Sequence, residues 1–419
     1  MKPGDRVKLT TSEGTFEGTL LPRPALLSSD ITVLKLKTGY NIGIESKKIE
    51  KRTVLQEYQT PVPVRAKIVH DPALPTVAIL STGGTIASRV DYRTGGVYAD
   101  YSAEDFVMMC PELSKIANIK AVKVMSMMSE DAVAADWQKM AEAILESLKT
   151  ADGVVITHGT DTMHFTSSVL SFLLENLTKP VIITGAQRSI DRGSSDAFMN
   201  LMCSIKAAAS WDGACVTICM HGTISDDYCT LLRGTKARKM HTSRRDAFRA
   251  INDEPLARVY ANGRIEITNQ EYPKRHEGKT SLRELDNRVG IITTYPDIEP
   301  AIFEEHAKRA KGLIIVATGL GNLPLHNKKT VKQALQKISK KIPLFICSQT
   351  LYGRVNPSVY ANLRELSIEI GATYLSDMLP ETAYAKLMVA LTCKNTKEFM
   401  KTNIAGEFTT RELDDAFLR

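Results

Sequence analysis

Short apolar runs separated by turn-forming residues dominate the first sixty residues of the chain. Runs rich in valine, isoleucine, leucine and threonine, bounded by Gly, Ser and Asp, favour strands. We predict strands at Arg6–Thr10, Thr15–Leu21, Ile31–Lys37, Tyr40–Ile44 and Ile49–Leu55. Strands this close together predict a small all-β barrel over residues 1–60. The proline-containing stretch Tyr58–Pro63 that ends it predicts an extended linker.

From Pro75 the pattern changes to continuous apolar runs that alternate with helical stretches. The apolar runs predict strands at Thr76–Leu80, Gly153–Thr157, Val181–Thr184 and Ala214–Met220. The stretches between them predict helices at Ala134–Leu148, Thr162–Leu177 and Ala197–Ala209. This alternation is typical of a parallel sheet with helices on both faces. It predicts a larger, doubly wound α/β domain over residues 75–270.

A polar segment, Glu271–Thr280, interrupts the alternation and indicates a connection between domains. Beyond it, strands are predicted at Val289–Thr293, Gly312–Ala317 and Pro343–Cys347, and a helix at Glu381–Thr392. These elements predict a smaller α/β domain over residues 288–419. The predicted order is therefore barrel, larger α/β domain, smaller α/β domain.

Composition narrows the class of protein. The 419 residues are 43% hydrophobic and 24% charged, which is typical of globular chains. No apolar run approaches the ~18 residues of a membrane span, and the N-terminus lacks a signal-peptide pattern. Seven cysteines without a Cys-x-x-Cys pair indicate buried thiols in a reducing compartment. We expect a cytoplasmic protein that does not bind membranes. Because the eight histidines show no close ligand spacing, we expect no metal site.

The formal net charge of +7 is mild, but the basic residues are uneven. Between Arg233 and Arg249 there are seven Lys or Arg and one acid, Asp246. A solvated loop leading into a helix explains such a stretch, and so does contact with an acidic partner such as RNA. The sequence leaves both interpretations open.

Two loops at predicted strand ends have an unusual composition. Ser81-Thr-Gly-Gly-Thr-Ile-Ala87 and Thr157-His-Gly-Thr-Asp-Thr162 each follow an apolar strand. In open parallel sheets, ligands bind at the carboxyl ends of the strands. Paired glycines let backbone N–H groups approach a ligand closely, as in an oxyanion site. The first loop matches neither Gly-x-Gly-x-x-Gly nor a Walker loop, so nucleotide binding is disfavoured.

Taken together, the two loops resemble the bacterial-type L-asparaginase/glutaminase family. Further matches keep the family's order: Tyr98 thirteen residues past Thr85, Ser129-Glu-Asp131, Lys239 nine residues before Phe248, Gly319-Leu-Gly-Asn-Leu-Pro324 and Asp377-Met-Leu-Pro-Glu381. The resemblance runs from about residue 75 to about residue 400. It implies the family's pair of α/β domains and an amidohydrolase that frees ammonia from a side-chain amide.

The resemblance also implies a role for four residues that contact the substrate. Thr85 corresponds to the family's attacking threonine, and Tyr98 to the tyrosine of its mobile lid. Ser129 would hold the charged ends of a small amino acid. Glu130 stands in the same substrate-binding segment, where glutamine is common.

A second, triad-like group is implied by Thr160, Asp161 and Lys239. A buried lysine oriented by Asp161 could move protons through the Thr160 hydroxyl, and Asp161 would also contact the substrate. Which threonine attacks first stays open, and the alternative to a catalytic role for both threonines is simple helix capping. Lys236 competes with Lys239 for the lysine role. His158 and His221 stand at strand ends and fit structural roles better than catalytic ones.

The predicted barrel separates this chain from free asparaginases. Tyr40–Ile44 within it and His241–Phe248 after the lysine resemble the D subunits of archaeal glutamyl-tRNA(Gln) amidotransferases. That resemblance implies hydrolysis of glutamine or asparagine and transfer of ammonia to an E-type partner subunit. The partner would use ATP and Mg²⁺ to amidate glutamyl-tRNA(Gln), and would make most of the tRNA contact. It also implies a homodimer within a heterotetramer.

Two other functions are compatible with the sequence. One is a stand-alone cytoplasmic L-asparaginase, and the other is a non-catalytic RNA-binding or scaffold protein. The chain contains no recognisable ATP or Mg²⁺ motif of its own, which fits a division of labour between two subunits.

Overall fold

The structure is a computed structural model, and its first part is an all-β unit. It describes residues 1–21, 30–36, 41–58, 70–84, 88–90, 97–99, 111–188, 190, 194–327 and 330–412, with 88–90 and 97–99 as backbone only. The N-terminal strands are β1 (Arg6–Thr11), β2 (Gly14–Leu20), β3 (Ile31–Lys35), β4 (Asn41–Glu45) and β5 (Ile49–Gln56). They form one antiparallel sheet in the order β4-β3-β2-β1-β5.

The N-terminal sheet has a small core of its own. Val7, Leu9, Leu34 and Ile44 are buried together on one face. Within β1, Val7 and Leu9 alternate with half-exposed or exposed residues, which is the two-residue period of a strand with one buried face. The all-β prediction for this region is confirmed. The predicted linker lies largely outside the described residues.

The larger α/β region is built on an eight-stranded sheet. The strands of the sheet are β6 (Thr76–Gly83), β9 (Asn118–Met127), β10 (Gly153–Thr157), β12 (Val181–Thr184), β13 (Val216–His221), β14 (Tyr228–Arg233), β17 (Ala257–Tyr260) and β18 (Ile265–Ile267). Three separate two-stranded pairs are β7 (Ser88–Val90) with β8 (Val97–Ala99), β11 (Leu174–Glu175) with β19 (Ser281–Leu282), and β15 (Ala237–Lys239) with β16 (Phe248–Ala250). The sheet order is β18-β17-β14-β13-β12-β10-β6-β9.

Helices cover both faces of this sheet. They are α1 (Ala134–Leu148), α2 (Met163–Leu173) and α3 (Ala197–Ser210). Along β6, Val77 and Ile79 pack with α3, whereas Ala78 and Leu80 pack with α1 and α2. A strand buried on both faces has a continuous apolar sequence, which is why the sequence predicts it. The doubly wound arrangement is confirmed.

The strand order identifies where a ligand can bind. The parallel part, β9-β6-β10-β12-β13, follows the chain order 2-1-3-4-5. Connections leave β6 and β10 toward opposite sides of the sheet, so a crevice opens at the carboxyl ends of these two strands. The two loops with unusual composition follow these strands. Sequence position alone could not place them side by side.

The smaller α/β region contains a four-stranded parallel sheet in the order β20-β21-β22-β23. Its strands are β20 (Val289–Thr293), β21 (Gly312–Ala317), β22 (Leu344–Ser348) and β23 (Thr373–Tyr374). Its helices are α4 (Pro300–Arg309), α5 (Val331–Ser339), α6 (Ala361–Arg364), α7 (Pro380–Ala390) and α8 (Thr396–Lys401).

Helix α7 belongs to two cores at once. Ala383, Leu387 and Ala390 pack against the smaller sheet. Ala385, Met388 and Val389 join the core of the larger sheet, beside α2. Buried apolar residues thus lie on both sides of this helix. Helix α7 therefore joins the two α/β regions through shared apolar packing.

One predicted helix boundary is wrong. The predicted helix extends from Thr162 to Leu177, but α2 ends at Leu173. Leu174 and Glu175 instead form β11, paired with β19, and Asn176 adopts a left-handed backbone with φ of 52°. The apolar pattern continues through both elements, so only the tertiary pairing with β19 marks the boundary. None of the helices in the described ranges is both long and apolar enough to cross a membrane.

The shared helix generates a stability prediction. Leu387→Ala should lower the free energy of unfolding by about 2–5 kcal/mol, because it leaves a cavity in a filled core. Urea denaturation of the purified chain measures this change. Ile368→Ala is the control, since the Ile368 side chain is 77% exposed and its loss should stay within about 0.5 kcal/mol. Equal losses for both variants would contradict the assigned packing.

Candidate active site

Three loops meet at the carboxyl ends of β9, β6 and β10, and glycines permit the contact. Gly83 and Gly84 have φ of 109° and 80°, in the left-handed region that side chains rarely adopt. A Cβ on Gly84 would lie 2.3 Å from the Gly159 nitrogen, and one on Gly83 would lie 2.4 Å from the Met127 carbonyl oxygen. A Cβ on Gly159 would lie 2.7 Å from the Ser129 Cβ. The backbones therefore approach too closely for any side chain.

Thr160, Asp161 and Lys239 are brought together at this crevice. Thr160 and Asp161 lie between β10 and α2, and Lys239 ends β15. The Lys239 ammonium donates to Thr160 Oγ1 at 2.9 Å and to Asp161 Oδ1 at 2.7 Å. The Lys239 side chain is only 10% exposed, while that of Asp161 is 68% exposed. One cation thus joins a buried hydroxyl to a carboxylate that faces solvent.

Ser129 and Glu130 begin a short 3-10 helix that follows β9. Ser129 is buried, and its carbonyl oxygen accepts a hydrogen bond of 2.6 Å from Thr162 Oγ1. This bond ties the Ser129 loop to the loop that carries Thr160. Ser129, Glu130 and Thr162 line a cleft of about 410 Å³ whose opposite wall includes Ile291 and Tyr384 of the smaller region.

Of the predicted site residues, the structure does not describe Thr85, and it describes only the backbone of Tyr98. Thr85 lies outside the described residues, directly after the Gly83–Gly84 turn. Tyr98 stands on β8, where its backbone pairs with Arg89 of β7, but its side chain lies outside the described atoms. Beyond Thr85, β7 and β8 thus form an antiparallel pair in which Tyr98 lies opposite Arg89.

His158 supports the second loop from below. Its Nδ1 lies 2.7 Å from the Gly159 carbonyl oxygen, which can only accept, so Nδ1 carries the proton. Its Nε2 then accepts from Thr166 Oγ1 at 3.0 Å, and Thr166 accepts from the Trp137 indole at 2.9 Å. Burial lowers the pKa of His158, which keeps the ring neutral. Both ring nitrogens are occupied, as a structural histidine requires.

His221 is held in a similar way. Its Nδ1 lies 2.6 Å from Asn200 Oδ1, so this nitrogen donates, and its Nε2 lies 3.0 Å from Asp226 Oδ1. The ring is buried at the end of β13. These contacts again fit the structural role that the sequence favours.

The two candidate lysines have different partners. Lys236 Nζ is 2.5 Å from Asp377 Oδ2, and both side chains are buried. Burial lowers the pKa of Lys236, and the Asp377 charge opposes that shift. Lys236 therefore serves the junction between the two α/β regions, and Lys239 is the lysine that reaches Thr160.

Arg238, between these lysines, also turns to the smaller region. It donates to Glu381 Oε2 at 2.7 Å, at the first turn of α7. Burial raises the pKa of Glu381, while Arg238 opposes that shift. The resemblance to the family assigns no role to Asp377–Glu381. The two end residues of this stretch pair with Lys236 and Arg238, so the stretch joins the two α/β regions.

The basic side chains of the stretch between Arg233 and Arg249 are paired with carboxylates of the same chain. Each of its seven cations contacts a carboxylate: Arg233 to Asp253, Lys236 to Asp377, Arg238 to Glu381, Lys239 to Asp161, Arg244 and Arg249 to Asp246, and Arg245 to Asp226. The stretch forms the β15–β16 hairpin, so the predicted helix start is wrong. Paired cations give little support to the alternative of an RNA-binding surface.

His164 is a polar residue near the site that the sequence does not single out. It lies in the first turn of α2, and its Nδ1 has no hydrogen-bond partner among the described atoms. Burial, together with the nearby charges of Arg238 and Lys239, lowers the pKa of His164 to about 3. It is thus a neutral group beside Lys239. Its neighbours in sequence are mostly helix-forming residues of α2, so no motif marks His164 as a residue near the site.

The arrangement suits proton transfer beside a reacting carbonyl group. A buried hydroxyl in contact with a lysine can relay a proton between that lysine and a bound molecule. In the part of the chain that the structure describes, no three His, Cys, Asp or Glu side chains form a group suited to a metal ion.

Family models match almost the whole chain. Residues 76–273 match the model "Asparaginase, N-terminal", and residues 288–403 match "Glutaminase/Asparaginase C-terminal domain". Residues 1–55 match "GatD N-terminal domain".

Solved structures agree with these models. The thermostable L-asparaginase from Thermococcus kodakarensis is 29% identical, with a TM-score of 0.71 over 80% of this chain and 100% of its own. L-asparaginase I from Vibrio cholerae gives a TM-score of 0.69 over 80% of this chain and 99% of its own, also at 29% identity. The match confirms the asparaginase-type fold.

Two sequence relatives extend the match into the N-terminal unit. The D subunit of glutamyl-tRNA(Gln) amidotransferase from Pyrococcus abyssi is 43% identical over 99% of this chain and 97% of its own length. The corresponding protein of Pyrococcus furiosus is 44% identical over the same shares. With the active-site loops, both asparaginase domains and the N-terminal unit all matched, the chain belongs to the D-subunit family of glutamyl-tRNA(Gln) amidotransferases, within the asparaginase fold.

Proposed function

We propose that this chain releases ammonia from the side-chain amide of glutamine or asparagine, for the conversion of glutamyl-tRNA(Gln) to glutaminyl-tRNA(Gln). The observation that carries the proposal is the Thr160–Lys239–Asp161 contact beside the Gly83–Gly84 turn, at the crevice between β6 and β10. The N-terminal unit supports the amidotransferase over a stand-alone L-asparaginase, because residues 1–55 match the "GatD N-terminal domain" model.

The chemistry proceeds in two steps at one carbonyl carbon. The Thr85 hydroxyl attacks the amide carbon, the C–N bond breaks, and the nitrogen leaves as ammonia after taking up a proton. Water then attacks the resulting ester and restores Thr85, giving glutamate or aspartate. A threonine hydroxyl needs help to react with an amide. Lys239 and Thr160 move the protons in both steps.

The remaining predicted residues bind the substrate and shield it. Asp161 is exposed beside the crevice and is oriented by Lys239, so it can hold the substrate's ammonium group. Ser129 and Glu130 line the adjacent cleft and face the other end of the amino acid. Tyr98, on β8, closes over Thr85 during turnover.

The partner completes the reaction. An E-type subunit binds the tRNA and uses ATP with Mg²⁺ to activate the tRNA-bound glutamate, which the released ammonia then attacks. This chain acts as a homodimer within a heterotetramer and needs no cofactor of its own. Because the Arg233–Arg249 cations are paired internally, the partner makes most of the contact with tRNA.

Coupling to the partner tests the proposed function. We expect slow glutamine hydrolysis by this chain alone and roughly 5–150-fold faster hydrolysis with the E subunit, glutamyl-tRNA(Gln) and ATP, the usual range of coupling between sites. Ammonia release measures the rate, and Thr85→Ala in the same complex is the blank. Fast asparagine hydrolysis by the chain alone, unchanged by the complex, would favour the stand-alone L-asparaginase.

The lysine and the carboxylate should act as one unit. Lys239→Met and Asp161→Asn should each lower kcat by orders of magnitude, and the double variant should lose little more than either single one. Groups that serve one step are strongly non-additive. Steady-state kinetics of the four proteins decides this, and losses that multiply would show independent roles.

Close backbone contact at Gly84 should be essential for activity. Gly84→Ala places a Cβ against the Gly159 backbone, so the loop must shift and kcat/KM should fall by roughly 100-fold, the effect of a ~1 Å misplacement. Gly371→Ala is a matched control, because Gly371 has φ of 78° but no atom within 4 Å of its Cβ. Similar losses of activity in both variants would attribute the effect to backbone strain alone.

A further inference from the structure

The segment Thr235–Lys239 is bound to the smaller α/β region along most of its length. Thr235 Oγ1 donates to the Ala405 carbonyl at 3.0 Å, and the Thr235 carbonyl accepts from Thr382 Oγ1 at 2.8 Å. The two ion pairs of Lys236 and Arg238 follow directly along the chain. At the other end of the segment, Ala237 is buried in the core of the larger region, and the Lys239 side chain turns back to that region to reach Thr160.

Asp377 is the most firmly held of these anchor groups. Besides Lys236, its carboxylate accepts from the Thr409 backbone N–H at 3.2 Å and from Thr409 Oγ1 at 2.5 Å. The Asp377 side chain is 1% exposed and that of Lys236 is fully buried. A buried ion pair of this kind adds little net stability, but the loss of one partner is costly because it leaves an uncompensated buried charge.

Lys239 lacks a comparable anchor of its own. The side chain of its carboxylate partner Asp161 is 68% exposed, so solvent weakens the hold of this ion pair on Lys239. Its strand β15 spans only three residues and pairs only with β16 in the described sheets. Besides this pairing, the ion pairs of two neighbours in sequence, Lys236 and Arg238, help to fix the position of the Lys239 backbone.

We propose that Asp377, acting through Lys236, is a positioning residue of the amidase site, which fixes β15 so that Lys239 reaches Thr160. The inference rests on the role of Lys239 given under the proposed function. Asp377 does not touch the substrate or Thr160. It acts by holding the strand in register, while Glu381 holds Arg238 on the same strand as a second point of attachment.

This role predicts a specific kinetic effect. A shift of β15 moves the Lys239 ammonium away from Thr160, and misplacement of a catalytic group by about 1 Å costs up to roughly 100-fold in rate. The residues proposed to contact the substrate, Ser129, Glu130 and Asp161, lie on the loops after β9 and β10 and not on β15, so their backbones stay in place. Loss of the anchor should therefore lower kcat much more than it raises KM.

The test replaces the pair without leaving a buried charge. In Lys236→Met with Asp377→Asn, the new amide oxygen still accepts from Thr409 and no unpaired ammonium remains. In the complete amidotransferase complex we expect kcat for glutamine hydrolysis to fall roughly 10–100-fold, with KM changed by less than about 3-fold. Thermal unfolding of the same protein measures whether the fold is retained.

A buried pair close in sequence to the segment supplies the control. Arg233 and Asp253 are 2.8 Å apart with side chains 9% and 7% exposed, and this ion pair joins two residues of the larger region. Arg233→Met with Asp253→Asn should change the melting temperature by a similar amount and leave kcat within about 3-fold. An equal loss of kcat in this control would overturn the proposal, because disruption of the segment would then explain both results.

Two further outcomes separate this inference from the proposed function. Unchanged kcat in the Lys236/Asp377 variant, with Lys239→Met inactive, would reject the positioning role and leave the role of Lys239 intact. Full activity in Lys239→Met would reject the catalytic lysine itself, and with it the reason for positioning β15.

Discussion

The five-residue segment Thr235–Lys239 makes contacts with both α/β regions, and its position must suit both sets of contacts. Thr235–Lys239 donates and accepts hydrogen bonds at the smaller region and, at its last residue, places an ammonium beside Thr160. Buried polar groups are costly when unpaired, so each of these contacts restricts where the next can form. The geometry of the crevice therefore depends on the relative position of the two α/β regions, although Thr160, Asp161 and Lys239 all belong to the larger one.

Much of the fold could be predicted from the sequence because buried parallel strands leave a continuous apolar signal. The predicted strands Gly153–Thr157 and Val289–Thr293 have the observed bounds. Turns that depend on distant pairing leave no such signal, as the end of α2 at Leu173 illustrates. The antiparallel strands β17 and β18 also escape prediction, because short strands with mixed burial resemble loops in sequence.

The candidate site shows the same division between local and distant information. The glycine-rich loops and the Thr160–Asp161 pair could be found from motif and spacing. The choice between Lys236 and Lys239 relies in sequence on a spacing to Phe248, and it is the geometry that assigns them different partners. The charge pattern of Arg233–Arg249 suggests an open basic surface, because the acids that neutralise it are mostly far away in sequence. His164 could not be found, since its position depends on packing alone.

The two cores shared by α7 bear on how such a protein can change during evolution. The N-terminal sheet keeps a separate core of Val7, Leu9, Leu34 and Ile44, and residues 1–55 match a family model of their own. A unit with its own core can be gained or lost by recombination with little damage to the rest. The smaller α/β region has no such freedom, because removing it would strip Met388 and Val389 from the core of the larger sheet. Recombination should therefore exchange this protein's appendages while inheriting the two α/β regions as one indivisible piece.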